Sequence, residues 1–240
     1  MSHAARVEPW RQVVVSDDFL PQDLVAAAYE VFRELVILPG SLFASHKDLT
    51  NRVLSQKLGA YLPNPAAAFV NHFLCALVPR LPVAVSRQGG FEVWSGLTCR
   101  RGGKAYLHVD NDEALRRATG LVRSPRVGAI LHLGPASGLR GGETLFDLGG
   151  ASSACFAFEP WERILARSNS PIIVPQKAGR LILFSGDLPH AVAPIRRCAK
   201  SKPRVTLLAN LWPTRINSVR RGVVSSAWTP LDRRAYAGSS

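Results

Sequence analysis

Two histidines and one aspartate stand where they could share a metal ion: His108 and Asp110 in the segment AYLHVD, and His190 in FSGDLPHAV. In an extended strand, residues i and i+2 project from one face, so His108 and Asp110 can reach a common point while Leu107 and Val109 pack behind them. Two imidazoles and one carboxylate make a facial ligand set that leaves open positions on a six-coordinate metal, which suits a centre that must also take up reactants. An HxD match alone arises too easily by chance to carry that reading, and its bland alternative is a hydrogen-bonded polar cluster in the core.

Three further segments add weight. A Gly141-Gly142-Glu143-Thr144 turn follows the HxD strand, the run VPQKAGRLILFSGDLPH leads a turn, a strand and a second turn into His190, and RVTLLANLW follows with Arg204 14 residues beyond that histidine. In this order the pieces resemble the signature of the Fe(II)/2-oxoglutarate-dependent dioxygenases, in the branch that includes the prolyl 4-hydroxylases. The resemblance spans residues 91–212, about half of the chain. It implies an iron(II) held by His108, Asp110 and His190, with 2-oxoglutarate and dioxygen as co-substrates, succinate and carbon dioxide as by-products, and ascorbate in a supporting role. Asp110 implies hydroxylation or a related oxidation, because relatives that halogenate have a small residue there.

The family's co-substrate needs a cation for its far carboxylate, and a guanidinium grips a carboxylate with two parallel hydrogen bonds. Arg204 is similar to the family's arginine, and Thr206, two residues on, shares its strand face. Lys200 is the rival anchor, ten residues past His190 in the loop-like RRCAKSKP. Tyr106, on the strand face of His108, and His132, in AILHLG, are candidates to line the co-substrate pocket, each against a plain packing role. Glu143 reads as a hairpin residue, His46 and His72 as structural or exposed, and Trp94 and Trp212 as core anchors.

These residues need elements to position them. Apolar residues Leu24, Ala28, Val31, Leu35 and Leu38 repeat at helical spacing, and Pro39-Gly40 stops the pattern, so residues 23–38 form an amphipathic helix. Further helical stretches run over about residues 49–61 and 65–78, bounded by Pro63, Pro65, Pro79 and Pro82. Beyond Gly89-Gly90 come eight short runs that read as strands: FEVWSGL, AYLHVD, VGAILHLG, ETLFDL, PIIVP, RLILF, HAVAPI and RVTLLANLW. Helices followed by many short strands make an α+β fold with helices against one face of a sandwich or barrel. The family's double-stranded β-helix, or jelly roll, agrees with that. The chain is expected to be one oxygenase domain: about 1–88 helical support, about 89–212 the β-helix core, and 213–240 a basic C-terminal tail. Segments 111–125 and 149–170 are the expected lid.

With 240 residues, 47% of them hydrophobic, the chain can bury a sizeable core. Four cysteines with no CxxC pair do not make a secreted disulfide framework, and neither a signal peptide nor a run of about 18 apolar residues is evident. A cytoplasmic protein is expected, with no membrane partner. Thirty Lys+Arg against 17 Asp+Glu give a net charge of +13. The arginines are scattered, with pairs at Arg100-Arg101, Arg116-Arg117, Arg196-Arg197 and Arg220-Arg221, and no long basic run carries interleaved aromatics. The expected substrate is a small molecule, acidic or amino-acid-like. A peptidyl, prolyl-type substrate is the alternative, and a nucleic-acid-directed oxygenase the third reading, although RVTLLAN lacks the second arginine of the dealkylating branch.

Overall fold

The computed structural model describes residues 13–35, 41–50, 54–60, 62–98, 105–147, 171–199 and 202–216. Expectations for Cys99, Cys155, Arg100, Arg101, Lys200, the 149–170 segment and the tail beyond residue 216 lie outside the described residues.

Strand β1 (Val13–Ser16) is followed by helix α1 (Gln22–Glu34), strand β2 (Leu42–Ser45), and helices α2 (His46–Thr50), α3 (Leu54–Gly59) and α4 (Asn64–Leu77). The predominantly β part comprises β3 (Gly90–Thr98), β4 (Ala105–His108), helix α5 (Glu113–Thr119), β5 (Val127–Gly134), β6 (Arg140–Gly141), β7 (Thr144–Asp147), β8 (Pro171–Val174), β9 (Leu181–Ser185), β10 (His190–Val192), β11 (Ile195–Arg197) and β12 (Arg204–Trp212). The strands form a six-stranded sheet in the order β1-β9-β5-β12-β3-β2, a four-stranded sheet β4-β10-β7-β8, and a two-stranded ribbon β11-β6. Every pairing is antiparallel.

Period-two alternation explains how the large sheet serves two cores. Odd-numbered residues of β5 and β12 (Val127, Ala129, Leu131, Leu133; Val205, Leu207, Ala209, Leu211) join Val25, Phe32, Phe69 and Phe73 of α1 and α4 in the main cluster. From the opposite face, Ile130, Leu208, Ile182 and Phe184 meet Phe146 and Val174 of the four-stranded sheet. Strands covered on both faces read as nearly continuous burial, as β5 and β12 do. Each fully buried Phe, Leu or Val here contributes roughly 1.5–3 kcal/mol. Edge-on ring contacts, Phe32 with Phe69 and Phe19 with Phe73, at centroid distances of 6.0 and 6.3 Å, lock the helices together and to the loop before α1.

Helix α1 departs from its expected stripe. The buried residues are Val25, Ala28, Tyr29 and Phe32, at spacing i, i+3, i+4, i+7, while Leu24, Val31 and Leu35 pack at its margin. The aromatic rings, which fill more volume against the sheet, turn that face inward. In the stretch expected as one helix over 49–61, the described helices are α2, which starts earlier, at His46, and α3, which covers Leu54–Gly59, while residues 51–53 lie outside the described residues. The N-terminal third also supplies two strands that periodicity did not reveal, β1 and β2, which cap the two edges of the large sheet by pairing with β9 and β3. HAVAPI is two strands, since Pro194 interrupts it and β11 leaves the four-stranded sheet to pair with β6. Within 111–125, expected as loop, Asp112 caps α5 by accepting the Leu115 N–H at 3.3 Å, and Gly120 ends it in the left-handed region. Cys75 and Cys198 are free thiols. Among the described residues no helix is long and apolar enough to cross a membrane.

Candidate metal centre

The four-stranded sheet brings the two histidines together. His190 opens β10 and is the register partner of His108 at the end of β4 on one side and of Phe146 on the other. Their rings lie with centroids 4.3 Å apart. The strand ends at His108, so Asp110 stands just beyond it instead of within it. Its carboxylate nevertheless turns to the same point, with Oδ1 3.6 Å from His108 Nε2 and Oδ2 3.9 Å from His190 Nε2. One ligand atom from each of the three residues falls within 4.8 Å of the others.

Local contacts prepare these groups. His190 Nδ1 lies 3.0 Å from the Leu188 carbonyl, which can only accept, so Nδ1 carries the proton and Nε2 presents a lone pair toward Asp110. Burial against Phe184 and Phe146, and then the neighbouring His108, push the His190 pKa down to about 4, against the opposing pull of Asp110. The imidazole is thus neutral at physiological pH, the form that binds metals.

Asp110 is held from the other sheet. Asn210, on β12, donates Nδ2–H to Asp110 Oδ2 at 3.0 Å, linking the two sheets across the site. On the far side of the same loop, Asp112 is fully buried, and Arg123 binds its carboxylate, the Thr214 hydroxyl (2.9 Å) and the Arg215 carbonyl (3.0 Å). That ties the segment carrying Asp110 to the end of β12. Sequence reading missed Asn210, Asp112 and Arg123. Alternation along RVTLLANLW could have found Asn210, which shares parity with Arg204 and Thr206.

Glu92 was also missed. It is the β3 register partner of Asn210, and its carboxylate accepts from Ser41 Oγ at 2.6 Å and Trp212 Nε1 at 3.1 Å. Burial, then the charges of Asp110 and Asp112, push its pKa up to about 7 despite those two hydrogen bonds.

Arg204, Thr206 and His132 share the strand parity of Leu208 and Ile130, which lie between the sheets. Arg204 is buried, its Nε has no hydrogen-bond partner, and burial pushes its pKa down to about 10 while Glu143 opposes that shift. His132 is fully buried with both ring nitrogens unpartnered, and burial followed by the Arg204 charge holds its pKa well below the usual range. Thr206 is the register partner of His132, and its hydroxyl donates to the Gly96 carbonyl at 3.5 Å. Thr144 of β7 is likewise buried, with an unpartnered hydroxyl. A buried cation and several buried polar atoms left unpaired are costly unless a polar ligand completes them. For Tyr106, only the backbone of β4 is described. Glu143 accepts from Arg196 at 3.3 Å and gives its carbonyl to the Ala193 N–H, as a hairpin residue should. Trp212 is a buried anchor and His72 is exposed, as expected.

No protein-family model matches the sequence, and no curated protein matches it. Solved structures do. The chain is similar to AviO1 from Streptomyces viridochromogenes Tue57 (TM-score 0.50, 12% identity, covering 88% of this chain and 94% of that one). It is similar also to a prolyl-4-hydroxylase from Pseudomonas putida (TM-score 0.48, 21% identity, 87% and 90% covered). A third is a prolyl 4-hydroxylase from Phytophthora capsici (TM-score 0.48, 19% identity, 95% and 67% covered). At these identities the likeness is one of fold.

Proposed function

We propose that this chain is an Fe(II)- and 2-oxoglutarate-dependent oxygenase of the prolyl 4-hydroxylase-like branch, built as one domain around a double-stranded β-helix. The observation that carries the reading is the convergence of His108, Asp110 and His190 in an HxD…H pattern, beside an interior that buries Arg204 with its Nε unpartnered. The donor set fits the metal: two imidazole nitrogens and one carboxylate oxygen suit Fe(II) and leave room for other ligands. The orphaned polar atoms fit the co-substrate, because Arg204 supplies the buried cation that a dicarboxylate requires, with His132 and Thr144 as further hydrogen-bonding groups and Thr206 beside His132; Tyr106 is assigned to the same pocket from its strand parity with His108 alone. When bound, the iron with 2-oxoglutarate supplies the oxidising power to hydroxylate an unactivated C–H bond, releasing succinate and carbon dioxide. The protein's own part is to keep His190 neutral through burial and fix its tautomer through the Leu188 carbonyl, to orient Asp110 through Asn210, and to hold the co-substrate carboxylate away from water.

The substrate in this reading is a small, amino-acid-like or acidic molecule, taken up in the cytoplasm. The test uses purified protein with Fe(II), ascorbate and 2-oxoglutarate, followed for succinate with and without amino acids, proline-containing peptides and methylated oligonucleotides. Stimulation by a small molecule supports the full reading, and stimulation only by a peptide or an oligonucleotide moves the substrate to that class. Absence of both iron binding and uncoupled succinate refutes the oxygenase. Asp110→Ala is expected to weaken iron binding and abolish turnover.

A further inference from the structure

A cavity of about 580 Å³ opens beside the β6–β11 ribbon, and none of the residues assigned above to iron or 2-oxoglutarate lines it. Its polar lining consists of Ser137, Arg140, Glu143, Gln176, Arg196 and Arg197. Arg140 and Arg197 are register partners in the ribbon, so two arginines stand directly across from each other. Like charges in that position destabilise a ladder. Both side chains are exposed, and the backbones that carry them are held close, since Gly141, at φ 83°, lies so near the residue before β11 that a Cβ there would come 2.1 Å from the Pro194 carbonyl oxygen. Arg196 finds Glu143 at 3.3 Å, but among the described residues neither Arg140 nor Arg197 has an ion-pair partner. Gln176 adds a carboxamide whose Oε1 and Nε2 are both buried without a hydrogen-bond partner. A polar group withdrawn from water in that way costs free energy until a ligand meets it.

We propose that this cavity is a binding site for a small phosphorylated molecule, its phosphate held between Arg140 and Arg197 with Gln176 donating to the same group. Three arginines less one glutamate leave the lining with two positive charges, which matches the charge of about −2 and the three acceptor oxygens of a phosphate monoester better than a single carboxylate. The volume lies within the range of about 300–1,000 Å³ usual for small-ligand sites, so the organic part of the molecule fits beside the phosphate. The site stands apart from the oxygenase reading and survives if that reading fails.

The experiment is calorimetric titration of the full chain with pyrophosphate in moderate salt, alongside thermal melting. Wild type is expected to bind one equivalent saturably and to melt higher in its presence. Arg140→Gln/Arg197→Gln should weaken binding at least tenfold while melting no lower than wild type without anion, because an opposed pair of like charges has been removed. Gln176→Ala should weaken it severalfold. Arg80→Gln/Arg87→Gln, which removes the same charge from exposed positions elsewhere, should keep wild-type affinity, and Arg204→Met should keep it too, separating this cavity from the interior guanidinium. Lack of saturable binding by wild type, or an equal loss in the Arg80/Arg87 variant, overturns the proposal. Equal affinity for citrate overturns its assignment to the phosphate class.

Discussion

Glu92→Gln isolates the cost of a buried carboxyl beside the candidate metal centre. In the folded protein the Glu92 pKa is pushed up from 4.5 to about 7, so the native state keeps its proton over a range where the unfolded chain has released it. The sign follows from linkage: the native state binds more protons between these two values, and stability falls as pH rises through that window. The stability contributed by the protonated group is fully present below pH 4.5 and lost as pH passes 7. At 1.36 kcal/mol per unit, the shift amounts to about 3 kcal/mol by pH 8. Glutamine mimics the protonated acid, since its carbonyl can accept from Trp212 Nε1 and its amide can donate to Ser41 Oγ, whose hydroxyl rotates to suit. The variant should therefore match wild type near pH 4.5 and exceed it by about 3 kcal/mol near pH 8. Urea unfolding of chelator-treated protein across this range measures the difference between the two. A difference that stays constant with pH would refute the assignment of an uncharged carboxyl at Glu92.

The remaining predictions concern the site's chemistry. Arg204→Met replaces a buried guanidinium that has an unpartnered Nε, so the melting temperature should not fall while the KM for 2-oxoglutarate rises at least a hundredfold; Lys200→Ala should leave turnover nearly intact, and the reverse pattern would make Lys200 the anchor. Asn210→Ala removes the side-chain amide that donates to Asp110 Oδ2 from the opposite sheet and should weaken Fe(II) binding about 10- to 100-fold, read as a dissociation constant under anaerobic conditions; an unchanged constant would show that Asp110 needs no such support.

The candidate site was legible in so far as it depends on local pattern. HVD, the turn–strand–turn into His190, and the placement of Arg204 are features of short segments whose strand period puts known residues on one face. The same holds for the eight runs read as strands, each of which contains at least one strand. Short elements were harder. VVVS and LFAS become strands because β9 and β3 offer them edges to pair with, and the face that α1 buries was decided by the fit of Tyr29 and Phe32 against the sheet, not by the leucine spacing.

The amino-acid sequence by itself determined which residues are proposed to bind a metal and a dicarboxylate, because residue type and period-two spacing are written along the chain. Tertiary structure alone decided how they are supported. The Asn210–Asp110 bond joins residues 100 positions apart, Glu92 reaches Trp212 over 120, and the opposition of Arg140 to Arg197 is a matter of register. These depend on which strands pair and with what offset, and that is settled by burial of the whole sheet, a global sum that no short segment contains.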